Sequence, residues 1–216
     1  MVMETSSILG GIYKLMDWIS KLALLNLLWI ASTILGLGVF GFFPSTVAMF
    51  AVVRKWMLGE EEVSIVKTFW ASYKKEFVKS NFLGVFIVAA GLVLYADLLF
   101  IQNAAKSMAT FLYIPLFIIT FIFVCTLFYL IPIFVHYEMK LTDVIKNSFF
   151  VMIMNPLSTL YMLIGSFGIC FVLSYVPPIC ILFSGNLLAM LFMKPACNAF
   201  NKIQRKHEVF LQEQGI

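Results

Sequence analysis

LGVFGFFPSTVAMFAVVRKW, residues Leu37–Trp56, is the stretch whose reading decides the fold. A long apolar run precedes it, and its own apolar run stops at Arg54 and Lys55. Gly41 frees the backbone, and Pro44 can open a new helix because the first turn needs no intrahelical N–H there. Ser45 and Thr46 can hydrogen-bond backbone groups that the turn exposes. From Pro44 to Met57 is about 14 residues, or roughly 21 Å of helix at 1.5 Å per residue. That falls short of a hydrocarbon core of roughly 30 Å. Tilting, help from Val39–Phe43 or local thinning of the bilayer would let it cross.

Composition sets the class. The 216 residues are 62% hydrophobic and 12% charged, with a mean hydropathy of +0.99. A soluble domain is about half apolar and about a quarter charged, so lipid or neighbouring helices must cover these segments. The expected class is all-α, a polytopic transmembrane bundle of five or six spans in one domain over 1–216. Two amphipathic interfacial helices, 64–80 and 142–155, complete it. No basic run is dense enough for nucleic acid. Cys125, Cys170, Cys180 and Cys197 lie in or at the end of apolar runs without metal-ligand spacing, so they read as buried thiols. Glu4 and the lack of a cleavage pattern predict no removable signal peptide.

Along the chain, residues 1–21 read as an interfacial leader carrying Lys14, Asp17, Trp18 and Lys21. Residues 22–57 form a hairpin about Gly41 and Pro44, with Ser32-x-x-x-Gly36 as a small face for close helix contact. Charge placement favours six spans over five. If the short second segment crosses, Lys106 alone among the cations falls outside. The N- and C-termini are then cytoplasmic. Ser64 is the expected N-cap of the first interfacial helix, in which Lys67, Lys74, Lys75 and Lys79 crowd one side. Span three holds Asp97 near its outer end. Span four ends in His136-Tyr137-Glu138, where an interfacial hydrogen bond is expected of the His rather than a metal pair. Thr142 caps the second interfacial helix, which echoes the first as a weak internal repeat. Pro177-Pro178 makes a tight outer turn, Lys194-Pro195 ends span six, and 195–216 is a basic cytoplasmic tail helix.

No P-loop, GxSxG, HExxH or Gly-rich dinucleotide turn is present. The expectation is a non-enzyme without cofactor or metal. Asn26, Asp97 and Asn186 are the candidate ligand-pocket residues, since amides near mid-membrane must find partners. Gly41, Pro44, Ser45 and Thr46 form the structural turn. Arg54, Lys55, Lys67, Lys74, Lys75 and Lys79 form the expected surface for a partner or anionic lipid.

Several motifs occur together: Asn26-Leu-Leu-Trp29, Gly41-Phe-Phe-Pro44-Ser-Thr46, Ala51-Val-Val-Arg54-Lys55-Trp56 and Phe69-Trp70-x-x-Tyr73-Lys-Lys-Glu76-Phe77. This set resembles the YesL-like family of bacterial membrane proteins, a domain of unknown function, most strongly over residues 8–85. Ser45 stands where Ala is common in that family, and either is small enough for the turn. The resemblance implies a Gram-positive type of bacterium and a gene neighbourhood rich in carbohydrate ABC importers and polysaccharide-degrading enzymes. It carries over no catalytic residue.

Two functions follow as expectations. The first is an accessory protein of the bacterial cell membrane, associated with ABC-type carbohydrate uptake and binding a sugar permease through its basic face. The second is a small transporter or lipid- or small-molecule-binding protein with its own pocket between spans one, two and six. Membrane lipids are partners in either case, and small-residue faces permit homo-oligomers without requiring them.

Overall fold

A computed structural model of the chain describes the backbone over 2–103, 106–175 and 177–213, and side chains over 10–103, 111–175, 183–200 and Lys202. The Cys180 side chain and those of Lys106, Arg205 and Lys206 lie outside the described residues. The helices are α1 (Val2–Leu35), α2 (Val39–Met57), α3 (Ile65–Gln102), α4 (Lys106–His136), α5 (Leu141–Met154), α6 (Pro156–Tyr175) and α7 (Pro177–Glu213), with no strand among the described residues. Four segments are long and apolar enough to cross a membrane: Gly10–Leu35, Ile65–Gln102, Phe111–His136 and Pro156–Tyr175. This is an all-α membrane protein.

The chain reverses after α1 through a terminating motif. Gly38 N–H donates to Thr33 O at 2.9 Å and Leu37 N–H to Ile34 O at 3.0 Å, which satisfies the last carbonyls of the helix. Leu37 holds the left-handed conformation, φ 59, where glycine is usual and a branched side chain costs about 1–2 kcal/mol. Its side chain is 84% exposed at the apex, flanked by exposed Ile34, Leu35, Val39 and Phe40.

The two arms then meet backbone to backbone. A methyl on Gly36 would lie 2.3 Å from Gly41 Cα, and one on Gly41 would lie 2.5 Å from Thr33 O. So Ser32-x-x-x-Gly36 packs on Gly41-x-x-x-Ser45, the close approach small residues allow. The seam is polar. Ser32 and Ser45 hydroxyls pair at 2.8 Å, Trp29 Nε1 donates to Thr46 Oγ1 at 3.1 Å, and Tyr73 OH donates to Ser32 O at 3.3 Å. Thr46 hydroxyl donates to Phe42 O at 2.7 Å. At the open end, Trp18 meets the Trp56 ring edge-on at 5.4 Å, and Lys21 Nζ donates to Glu61 O at 3.2 Å. The second arm therefore returns to the level from which the first arm set out.

Several boundaries differ from the sequence reading. The helix of the second arm begins at Val39, with Pro44 inside it; the Gly36–Gly38 turn already reverses the chain, so no second start is needed. The leader and the first span are one helix, because nothing between Lys14 and Leu22 breaks it. The expected interfacial helix 64–80 is likewise the first half of the 38-residue α3. No Gly or Pro separates it from span three, and its aromatic face is covered by protein: Phe69 is fully buried, and Ile65 and Tyr73 are buried beside it. Ser64 does stand at the N-cap, without a side-chain cap bond. The second interfacial helix is separate. It is capped at Lys140 rather than Thr142, and it ends at Asn155 (φ −129, ψ 62) because Pro156 disfavours a helical residue before it. The prolines at 177–178 open α7 rather than form their own turn, and Pro195 lies within that helix. Proline removes one hydrogen bond and bends a helix without necessarily ending it.

Two buried clusters hold the bundle. One joins α1, α2, α3 and α7 through Leu25, Met49, Val52, Val53, Phe69 and Met193. The other joins α4, α5, α6 and α7 through Tyr129, Ile133, Val144, Met162 and Phe200. Tyr129 OH meets the Thr159 hydroxyl at 3.1 Å, tying α4 to α6.

Candidate anion-binding cavity at the basic end

At the open end of the hairpin, α2, α3 and α4 diverge around a cavity of about 340 Å³. Helical spacing builds its walls. Thr68, Ser72, Lys75, Glu76 and Lys79 recur on one face of α3, Val47, Ala51, Arg54 and Lys55 come from α2, and Phe134–Met139 close the third side. Arg54, Lys55, Lys75 and Lys79 supply four cations against the carboxylates of Glu76 and Glu138.

The pairing inside is uneven. Lys75 Nζ donates to Glu138 Oε1, bridging α3 to the end of α4. That hydrogen bond, with the ammonium charge, holds the Glu138 carboxyl below the usual carboxylate range. A depressed value keeps the tie whole at neutral pH, and it is lost as the pH falls through that value. Lys55 faces Glu60 at 3.6 Å. Arg54 and Lys79 form no ion pair among the described residues. Arg54 Nε and His136 Nδ1 are both buried without a hydrogen-bond partner there. The His136 ring instead packs on Tyr137 and on Phe200, each at 4.7 Å, so the expected interfacial hydrogen bond is not made at Nδ1. Burial pushes the Tyr137 phenol up.

The other candidates separate. Asn186 Nδ2 donates to Leu22 O at 2.5 Å, and a methyl on neighbouring Gly185 would lie 2.9 Å from Asn26 Oδ1. Both amides are buried where α7 crosses α1. A cavity of about 270 Å³ between α1, α2, α4 and α7 is lined by Trp29, Phe42, Phe50, Phe128, Gly185 and other residues, but by neither Asn26 nor Asn186. Asp97 is exposed far along α3, away from both. Thr46 lines that apolar cavity, whereas Gly41, Pro44 and Ser45 serve the hairpin seam. Lys67 and Lys74 are exposed on α3 and do not line the basic cavity. No group of three or more His, Cys, Asp or Glu gathers among the described residues.

Sequence reasoning took Arg54, Lys55, Lys75 and Lys79 for an open surface and missed Thr68 and Ser72. The signal was there: Thr68, Ser72 and Glu76 repeat every fourth residue between two lysine-bearing faces.

Comparison with known proteins adds the family. Residues 22–98, which include the hairpin and the α3 wall of the cavity, match the family described as protein of unknown function DUF624. The uncharacterized protein YteU of Bacillus subtilis (strain 168) is 37% identical over 203 residues, covering 94% of this chain and 91% of its own. This chain belongs to the DUF624 family. YesL of the same organism is 35% identical and YesV 31%, each matching 94% of the DUF624 chain and covering 95% and 97% of their own lengths; both are described as uncharacterized proteins. No solved structure matches this DUF624 member.

Proposed function

We propose that this DUF624 protein is a non-catalytic accessory protein of the bacterial cell membrane that engages an ABC-type sugar permease through its basic end. One observation carries the reading. Lys67 and Lys74 share an exposed face of α3, without an ion pair among the described residues, while the opposite face is locked into the bundle. A rigid cationic ridge of this kind suits an acidic partner surface. The link to carbohydrate uptake rests on the family resemblance.

The reading includes a membrane placement. The basic end, with Arg54, Lys55, Lys79, Lys140 and Lys194, faces the cytoplasm by the positive-inside rule, and both termini lie there. This placement departs from the five or six spans expected of the sequence: α3, α4, α6 and α7 cross, while the α1–α2 hairpin, although Gly10–Leu35 is long and apolar enough to span, dips in and returns. Contacts at the apex support this. Phe43 lies against Gly84, and Phe42 lines a cavity with Leu127 and Phe128. From Gly84 to Gln102, α3 continues about 27 Å further at 1.5 Å per residue, nearly a whole hydrocarbon core. A hairpin apex at the outer surface would push that apolar half of α3 into water.

Reversing Lys67→Glu together with Lys74→Glu tests the docking. Neither residue lines the cavity, and both are exposed, so folding is expected to hold. Co-purification of the permease from native membranes and sugar uptake are each expected to fall about tenfold, as for like charges set against each other. Unchanged recovery and uptake would sink the accessory role. The second reading, a lipid- or small-molecule-binding membrane protein, draws its support from the polar cavity.

A further inference from the structure

We propose that the cavity between α2, α3 and α4 binds a phosphate-bearing ligand with a hydroxylated body, Arg54 taking the phosphate while Thr68 and Ser72 meet the hydroxyls. This deepens the second reading and stands whether or not a permease docks on Lys67 and Lys74.

The lining separates this cavity from its neighbours. The cavity between α3 and α4 is walled mostly by Leu, Phe and Val with Tyr95, Tyr113 and Thr120, and the one among α4, α5 and α6 by apolar residues with Thr159 and without a charged group, as lipid-facing grooves are. The basic cavity has a volume of about 340 Å³, within the range of small-ligand sites, roughly 300–1,000 Å³. A guanidinium offers a planar fork that matches phosphate oxygens. The Arg54 fork sits here with its Nε buried and unmatched among the described residues, and His136 Nδ1 is in the same state. Buried polar atoms without a partner are rare and call for an ion, a water or a ligand to complete them. Lys79 stands at the rim without an ion pair among the described residues, and Lys55 adds charge beside Arg54.

The carboxylates refine the ligand. Glu76 continues the Thr68–Ser72 face by one turn, and Glu138 is tied to Lys75. A bare polyanion filling the cavity would meet both carboxylates. A ligand with its phosphate at Arg54 and hydroxyl donors along Thr68, Ser72 and Glu76 satisfies the two halves at once. That chemistry has two sources: a phosphoglycerol lipid headgroup of the inner leaflet, or a soluble polyol phosphate.

The test uses the full-length protein in phosphatidylcholine nanodiscs with and without phosphatidylglycerol, and separately with glycerol phosphate added in solution. Native mass spectrometry scores retained lipid, and calorimetric titration scores the soluble ligand. Phosphatidylglycerol retained in preference to phosphatidylcholine names the lipid source; saturable glycerol phosphate binding names the soluble one; either supports the site. The variant Arg54→Gln is expected to weaken that binding about tenfold or more, as loss of a charge-assisted contact does. The double variant Thr68→Ala with Ser72→Ala is expected to weaken it less, and it serves if the Arg54 variant does not fold. Lys67→Gln with Lys74→Gln removes twice the charge, outside the cavity, and is expected to leave binding intact. Binding in neither arm overturns the proposal, as does equal loss in the Lys67/Lys74 and Arg54 variants.

Discussion

Replacing Gly41 by Val is expected to cost about 3 kcal/mol, the upper part of the range for overpacking, and to lower the thermal midpoint in detergent by roughly 10 °C. The position has no room for any Cβ: it would stand 2.5 Å from Thr33 O, 2.8 Å from Ser32 O and 2.9 Å from Gly36 Cα. Those are backbone atoms of the facing arm, which cannot swing aside as a side-chain tip can. Relief requires the arms to part, and parting breaks the Ser32–Ser45 pair and the Trp29–Thr46 bond together. Because α2 also packs on α3, α4 and α7, the loss spreads through the bundle. Gly10 is the matched control: a methyl there would meet nothing within 4 Å, and Gly10→Val should leave the midpoint nearly unchanged. A Gly41→Val protein that melts with the parent would show that the seam does not hold the fold.

The second large effect is expected at Phe69→Ala, about 3–5 kcal/mol. Phe69 is fully buried, stacks on Tyr73 at 6.3 Å and meets the Trp70 edge at 6.2 Å, and sits among Val52, Val53 and Trp56. Removing the ring leaves a cavity between α2 and α3. Val66, one turn earlier on the exposed side, gives the contrast, since Val66→Ala touches no core. Thermal unfolding in detergent reads both. If α3 lay on lipid through this face, Phe69→Ala would weaken membrane attachment and leave bundle stability unchanged.

Local chemistry carried much of this fold in the sequence. The small-residue spacing of Ser32 and Gly36, the break at Asn155-Pro156 and the place of Asp97 near the far end of its helix each depend on a few neighbouring residues, so they were legible. Continuity of α3 was misread because its composition switches from lysine-rich to apolar at Phe82. A change of solvent there looks like a change of element, although no helix breaker marks it. Pro195 misled in the opposite sense, since a proline within a packed helix is tolerated when neighbours hold both halves. The cavity was legible least of all. Its walls come from three helices far apart in sequence, and only their packing turns the Lys and Arg residues of an apparent surface into the lining of a pocket.

The depth of the hairpin apex tests the proposed membrane placement most directly. Leu37→Cys in a chain otherwise freed of cysteine is treated with a membrane-impermeant maleimide, applied in turn to each side of the membrane. Asn103→Cys marks the outer side and Glu61→Cys the inner. The outer and inner markers are expected to label from one side each. Position 37 should label from neither side until detergent dissolves the bilayer. Labelling of position 37 from the outside would contradict this placement, because the hairpin would then cross the whole bilayer.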